Sequence, residues 1–376
     1  MRAETMQRDD QRGDGSCSVV LIDSLERWAD LAKCWADLLA QSRSNTVFLT
    51  WEWLFTWAEC FLESDCQLFI LAVYKQSELT GVAPWCIRHS RKWGIPVRSI
   101  EFLGTPEAGS DYLDVFARPR KEREVAQAIH SFLFKEVSSR WDRLILHDIP
   151  SDSLFLMHFL NQIEAEGKTV ELQSGSFCPI INLPNTREQF LSQLSPHRRR
   201  QYLRDIRGLE KEGGFNYRRC QSNDITDSLK TLCALYVQRW KTSGDLARFL
   251  ERLVSRYHGT GWFEIGLLEI KGTCVAATFQ LRYANTLSQY ILATDRLFKT
   301  SVHVSIGNAL VGLSLEKSIE DGFSTYDFLK GTEEYKFLWA DGGRRCLNVR
   351  FYRPRVAVVV ELIGQFLKAM AKLFVR

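Results

Sequence analysis

Residues 287–339 read LSQYILATD-RLFKTSVHV-SIGNALVGLSLEKSIED-GFS-TYDFLKGTEEYKFLW, and this stretch decides the fold. The run LSQYILATD has strand character and ends at Asp295. The spacing then predicts a helix over Ser305–Asp321 that stops at Gly322, with Ser305, Gly307 and Asn308 near its first turn. TYDFLKG is a strand, and GTEEYKFLW follows it. The order strand, loop, helix, strand sets a helix N-terminus beside a strand end. Free backbone N–H groups and the positive end of the helix dipole there can hold a pyrophosphate or a phosphorylated carrier. Ser and Gly at a helix start are also common caps, so the loop alone fits either reading.

Working toward the N-terminus, WFEIGLLEI and TCVAATFQLRY flank Lys271-Gly272 and predict a hairpin. Helices are expected at Thr226–Lys241 and Asp245–His258. SPHRRRQYLRDIRGLEKEGG predicts a helix with Ser195 as N-cap, Pro196 in the first turn and Gly213 past the end. FCPIINL is a strand. The first half repeats the grammar. Helices are expected at 25–40 and from Trp51 to Glu63, the second capped by Thr50. Strands follow at 66–74, 79–88, RSIEFLG and DYLDVFA, then a helix at Lys121–Val137 and a strand at 142–149. CLNVRFY is the last strand. Helices between runs of mostly antiparallel strands predict mixed α/β layers, a repeat of pattern rather than of sequence.

The chain has 376 residues, 45% of them hydrophobic and 25% charged, with a formal net charge of +4. That length fits two ordinary cores. The small net charge argues against a dedicated DNA binder. None of the 10 cysteines forms a C-x-x-C pair, and the seven histidines show no ligand spacing, so no metal is expected. Cys233 and Cys274 lie in apolar runs and fit small buried hydrophobes of a reducing cytosol. The polar start, 1–16, is expected to be disordered and is no secretory signal. No apolar run reaches the ~18 residues of a spanning helix. A cytoplasmic protein is expected.

Several of these segments resemble, in order, the CelD-type and FemAB-related acetyltransferases of the GNAT superfamily. SQYILATD, SIGNAL and SIEDGFSTYDFLKGTEEYKFLW carry the resemblance in the second half. EFLGTPEAGSDYLDVF and PIINLPNTREQFLSQLSPHRRRQYLRDIRGLEKEG are similar to earlier elements of the same pattern. The resemblance spans roughly 18–352. It implies an α/β (α+β) fold of two tandem GNAT-like acyl-transferase halves, with mixed, mostly antiparallel sheets flanked by helices. The halves would be 17–170 and 171–352, split near 165–178 around a shared cleft, with an amphipathic helix at 353–376. It implies acyl transfer from acyl-CoA, a co-substrate rather than a bound cofactor, to a small-molecule, saccharide or peptide acceptor, in polysaccharide or envelope biosynthesis. The FemAB branch instead takes an aminoacyl group from tRNA. The glycine-rich donor loop of a standard GNAT is reduced here to Gly307.

Within this frame Asp327, Lys336, Tyr335 and Asp295 are the catalytic candidates, and Ser305, Gly307, Asn308, Arg200 and Arg204 the donor-binding ones. Asp327 alternates with aromatics in a strand; it either orients the acceptor or pairs with an arginine. Lys336 either neutralises a phosphate or oxyanion or is solvated. Tyr335 either returns a proton to the leaving thiolate or packs. Asp295 orients the acceptor or makes a turn. His303, beside the donor loop, is a base or an ordinary loop histidine. Backbone N–H groups near Leu292–Thr294 would stabilise the oxyanion. Arg200, Arg204, Arg207 and Lys211 share one helix face, for a phosphate-rich donor or for solvent. Tyr202, Ile206 and Leu209, with Leu203, form the buried side. The tail after residue 355 has a broad apolar face. Docking on the first half is the default expectation, and lying on the inner membrane surface the alternative. A tRNA-dependent aminoacyl transferase, and a non-catalytic scaffold with a decayed site, are the rival functions.

Overall fold

The structure, a computed structural model, describes residues 16–92, 94–220, 222–240, 244–300 and 304–353, and 359, 362–367 and 370 of the tail. Strand β1 (Ser18–Ile22) precedes helices α1 (Leu25–Ala29) and α2 (Ala32–Gln41). One helix was expected here. The chain breaks at Asp30-Leu31, yet Trp28, Trp35 and Leu38 still face the core and are fully buried. Helix α3 (Trp51–Phe61) has the expected cap: Thr50 Oγ1 accepts from the Trp53 N–H at 3.3 Å.

Strands β2 (Cys66–Leu68), β3 (Ile70–Lys75), β4 (Glu78–Ala83) and β5 (Trp85–Lys92) replace two expected strands. Each expected strand is cut once, at Phe69 and at Pro84. Proline has no N–H for a ladder, and the Phe69 N–H donates to the Trp85 carbonyl across the corner. The chain thereby passes between two sheets. Next come β6 (Ile95–Phe102), β7 (Phe116–Ala117) and α4 (Glu122–Ser131), with a π-helical turn at Phe132–Glu136, then β8 (Arg143–Pro150), α5 (Leu154–Ala165) and β9 (Glu171–Asn182). The strand expected at DYLDVFA shrinks to β7. Tyr112 is left-handed (φ 55°), and the Asp111 and Asp114 carboxylates bind backbone N–H groups, which holds that segment irregular.

The second half runs α6 (Arg187–Gln193), α7 (Pro196–Lys211), β10 (Phe215–Arg219), α8 (Ile225–Trp240), α9 (Asp245–Arg256), β11 (Phe263–Ile270), β12 (Thr273–Tyr283), β13 (Thr286–Thr294), α10 (Ile306–Glu320), β14 (Thr325–Asp327), α11 (Glu334–Trp339) and β15 (Gly342–Tyr352). The short helices α6 and α11 escape sequence reading. The β11–β12 hairpin turns as expected at Lys271-Gly272, both left-handed (φ 52° and 78°).

The fold is mixed α/β, with mostly antiparallel sheets flanked by helices. A four-stranded sheet has the order β1-β3-β4-β7. An eleven-stranded sheet runs β10-β11-β12-β13-β14-β9-β15-β8-β6-β5-β2 through both halves. Two pairings in it are parallel, β6 with β8 and β13 with β14. Each parallel pair ends a crossover through a helix, α4 in the first half and α10 in the second, which is the repeated grammar in physical form. The centre joins the halves. Strand β9 lies beside β14, and β15 lies beside β8. Each parallel unit is thus extended by the strand that follows the other.

The first core is rich in tryptophan: Trp28, Trp35, Trp53, Trp57, Trp85 and Trp141 are all fully buried. It continues into the second half where α3 meets α9. There the Trp53 and Phe249 rings meet edge-on at 5.1 Å, and Arg256 donates to Thr56 and to Glu59. Cys66, Cys86, Cys178 and Cys346 are buried, and Cys233 and Cys274 are half-buried. In the tail, 362–367 is helical and exposes Leu362, Ile363, Phe366 and Leu367. Those four side chains therefore do not dock on the first half, contrary to the default expectation. Residues 1–15 and most of the tail lie outside the described residues. No helix among the described residues is long and apolar enough to cross a membrane.

Candidate active site at the β13–β14 seam

Strands β13 and β14 pair over three residues only, Thr286↔Thr325, Leu287↔Tyr326 and Ser288↔Asp327. Beyond Asp327 the chain turns away, because Leu329 (φ 56°) and Gly331 (φ 146°) both take positive φ. The expected strand TYDFLKG is cut short for this reason. From Gln289 onward, no strand among the described residues pairs with β13 on that side. The gap is a cleft of about 290 Å³ between Gln289–Leu292 and the 328–336 segment, closed by residues 106–111 of the first half.

The cleft ends at Leu292, near the start of α10, although no residue of that helix lines it. The first turn of the helix lies close to the end of β13. A Cβ on Gly307 would sit in ordinary contact with Thr294 and Leu292, at 3.6 and 3.8 Å. Ser305 is the N-cap, but its side chain makes no cap bond; its N–H donates to Asp205 Oδ1 at 3.3 Å. Asn308 Oδ1 accepts from Arg198 Nη2 at 3.3 Å. Arg198 is buried, with its guanidinium 3.7 Å from the Trp339 ring centroid. Burial pushes its pKa down to about 10, and its Nε has no hydrogen-bond partner. The loop residue His303 lies outside the described residues.

Arg200 and Arg204 are exposed on α7 and do not line the cleft. The inward face of α7 is Arg198, Tyr202, Asp205 and Leu209. It has the same i, i+4, i+7, i+11 spacing as the exposed stripe, displaced by two residues. That spacing is the signal by which Arg198 could have been found in the sequence.

Asp327 is buried at the last paired position. It accepts from the Tyr112 hydroxyl and from the Leu329 N–H, both at 2.8 Å. Burial raises its pKa to about 6, against the lowering by these two hydrogen bonds and by Arg344. The Tyr112 phenol is driven up by burial and by Asp327. Asp327 and Ser288 line a smaller cavity of about 140 Å³. The residues that follow them, Phe328 and Gln289, line the cleft. Asp111 and Tyr112 divide the same way. Three successive-residue pairs thus form the partition between the two cavities.

Tyr335 lines the cleft, and its hydroxyl accepts from Gln289 Nε2 at 2.8 Å. Gln289 accepts in turn from Tyr326, which Gln280 holds from the core. Lys336 also lines the cleft, but its ammonium is turned onto the backbone. It donates to the Lys330 carbonyl at 2.7 Å and pairs with Glu333 at 3.2 Å, so it clamps the 329–333 turn. Asp295 sits at a turn: its Oδ1 accepts from the Leu297 N–H at 2.8 Å. The structure therefore brings Tyr335 and Lys336 to the cleft and Asp327 to the small cavity beside it, sets Gly307 near the end of β13 and Asn308 on Arg198, and leaves Asp295 at a strand end and Arg200 and Arg204 on an outer face. Sequence reasoning missed Tyr112, Asp111, Lys330 and Arg198. Asp111 is buried and accepts from the Lys330 N–H at 2.9 Å, with the Lys330 ammonium at 3.1 Å. No group of acids, histidines and cysteines able to hold a metal occurs among the described residues.

Residues 196–337 match the family described as acetyltransferase (GNAT) domain. A search of curated proteins gives no match. Among solved structures, FemX aligns at TM-score 0.56 and 10% identity, covering 89% of this chain and 97% of that one. A conserved protein of unknown function from Bacteroides thetaiotaomicron aligns at 0.55 and 10%, covering 89% and 100%. The C-terminal domain of a putative lysylphosphatidylglycerol synthetase from Agrobacterium fabrum aligns at 0.53 and 10%, covering 90% and 97%. Identity at that level speaks for the fold alone. Over residues 196–337 the chain is thus similar to the GNAT acetyltransferase domain family, and over most of its length it shares the fold of these three structures.

Proposed function

We propose that the chain is a GNAT-like acyltransferase that moves an acyl group from acyl-coenzyme A to an amine or hydroxyl acceptor. The observation that carries this is the bare edge of β13 beyond Ser288, with a helix N-terminus at its far end. Backbone N–H and C=O groups on a strand edge need partners. The amides of a pantetheine arm supply them much as an added strand would. The pyrophosphate then meets the first turn of α10, with the cationic Arg198 behind Asn308. The acceptor attacks the thioester carbonyl, the carbon–sulfur bond breaks, and cleft N–H groups of β13 hold the oxyanion. Asp327 takes the proton of the nucleophile, and Tyr335 on the cleft wall protonates the leaving thiolate. Lys336 keeps the 329–333 turn in place. A saccharide or peptide of envelope biosynthesis belongs to this reading as the acceptor class.

A second reading rests on the exposed Arg200, Arg204 and Arg207 of α7, the helix whose other face carries Arg198. A longer polyanionic donor such as aminoacyl-tRNA would extend over that stripe. Calorimetric titration with coenzyme A separates the two. The favoured reading expects saturable binding, weakened roughly 10- to 100-fold by Arg198→Ala, the size of a lost charge-assisted hydrogen bond. Melting curves identify any loss due to unfolding. Absence of coenzyme A binding by the wild type, with transfer activity abolished by RNase, would select the tRNA reading.

A further inference from the structure

A second and larger cavity, about 620 Å³, lies behind the small cavity at Asp327. The two share Asn45, Thr46, Tyr112 and Arg344 as lining residues, so they lie side by side. The large cavity thereby approaches the Asp327 side of the seam from a direction distinct from the donor cleft. We propose that it is the acceptor site, and that the acceptor carries an anionic group, a phosphate or carboxylate, besides its nucleophile. This rests on the acyl-transfer reading.

Three arginines carry the argument. Arg43, Arg344 and Arg345 all line this cavity, all are exposed, and none takes part in a salt bridge among the described residues. Two other cationic clusters differ. Arg219 and Arg282 are paired with Glu264 and Asp321, and Arg88 with Glu101 and Glu107. Guanidinium groups gathered without carboxylates around a concave surface fit a phosphate or carboxylate through paired N–H donors. The cavity also contains acids. Asp114 is occupied, accepting from Ser44, Ser153 and the Val115 N–H, each at 2.8 Å. Glu122 and Asp152 line it too but reach none of the three arginines. Of the charged side chains on the large cavity, Arg344 alone is shared with the small one. It stands 5.4 Å from the Tyr112 ring centroid, and Tyr112 holds Asp327. An anionic group on Arg344 therefore sets the nucleophile toward Asp327. Thr46, common to both cavities, has a buried hydroxyl oxygen with no partner, which adds a hydrogen-bonding position between them.

The test uses inorganic pyrophosphate as the probe on the full chain, with coenzyme A present to fill the donor cleft. Calorimetry should show binding that weakens at least roughly tenfold in Arg344→Gln and in Arg43→Gln, and not in Arg91→Gln on the exposed face of β5. Pyrophosphate should also protect Arg344 against phenylglyoxal, read by peptide mass spectrometry, a readout that needs no variant to fold. Equal affinity in the wild type and both cavity variants, or pyrophosphate binding that coenzyme A abolishes, overturns the proposal. If coenzyme A does not bind but Arg344-dependent pyrophosphate binding persists, the donor reading fails while the anion site stands.

Discussion

Asp327 and Asp114 are two buried carboxyls with opposite duties, and pH separates them. Asp327, raised to about 6 by burial, is the base of the proposed mechanism and would act in its ionised form. Turnover should climb with pH up to about 6 and then level off, as a single-base profile does. Asp327→Asn should lower kcat roughly 100-fold or more and remove that inflection, while Tyr112→Phe should shift it. An unchanged profile in Asp327→Asn would reassign the base. Asp114 reaches about 7, again through burial, against three hydrogen bonds that lower it. A carboxyl raised on folding favours the protonated native state. Its contribution is fully present below the unfolded value near 4 and is lost as pH rises through about 7. Thermal melts between pH 5 and 8 should therefore decline, and decline less steeply in Asp114→Asn. The upper bound on that difference is roughly 4 kcal/mol. At this scale the sequence displayed Asp327 plainly, a carboxylate in an aromatic strand. It did not display Tyr112 or Arg198. Tyr112 reaches Asp327 across 215 positions, and no local spacing encodes such a contact.

Helix α10 shows what an element must provide to hold the donor end of the site. It packs on α7 at Gly312, where a Cβ would fall on the Tyr202 ring. Alanine normally stabilises a helix interior by about 1 kcal/mol over glycine. Here the sign should reverse. Gly312→Ala should destabilise by roughly 1–3 kcal/mol through overpacking, read as a lower denaturant midpoint, and should displace α10 from Arg198. A midpoint at or above wild type would show that the ring can move aside. Most elements were legible because their periodicity and caps are local: Thr50, Ser195, Gly213 and the Lys271-Gly272 turn all act where expected. The misplaced strand and helix breaks, as distinct from the missed helices, share one cause. The breaks at Asp30-Leu31, at Pro84 and after Asp327 occur where the chain changes sheet, layer or partner, and tertiary pairing overrides local pattern there.

On the scale of the whole molecule, the two halves depend on each other through the centre of the large sheet. Strand β15 pairs with β8 from Cys346↔Pro150 to Tyr352↔Arg143, and with β9 along its other edge. The first half therefore lacks a central strand until the end of the chain has been made. A bare edge there, beside a tryptophan-rich core that also needs Phe249 of α9, invites aggregation. Residues 1–170 expressed alone should be insoluble or lack a cooperative melt. Co-expressed with 171–376, they should co-purify as a complex, because β15 and α9 supply the missing edge and the missing core face. The intact chain should unfold in one transition, coincident by far-ultraviolet circular dichroism and tryptophan fluorescence. The probes differ in reach, since the six fully buried tryptophans among the described residues all lie in the first half while the backbone signal covers both. A soluble 1–170 fragment with its own melt, or separated transitions in the intact chain, would show that the halves are independent domains. The proposed catalytic seam would then sit at a movable interface, because Tyr112 and Asp111 come from one half and Asp327 and Lys330 from the other.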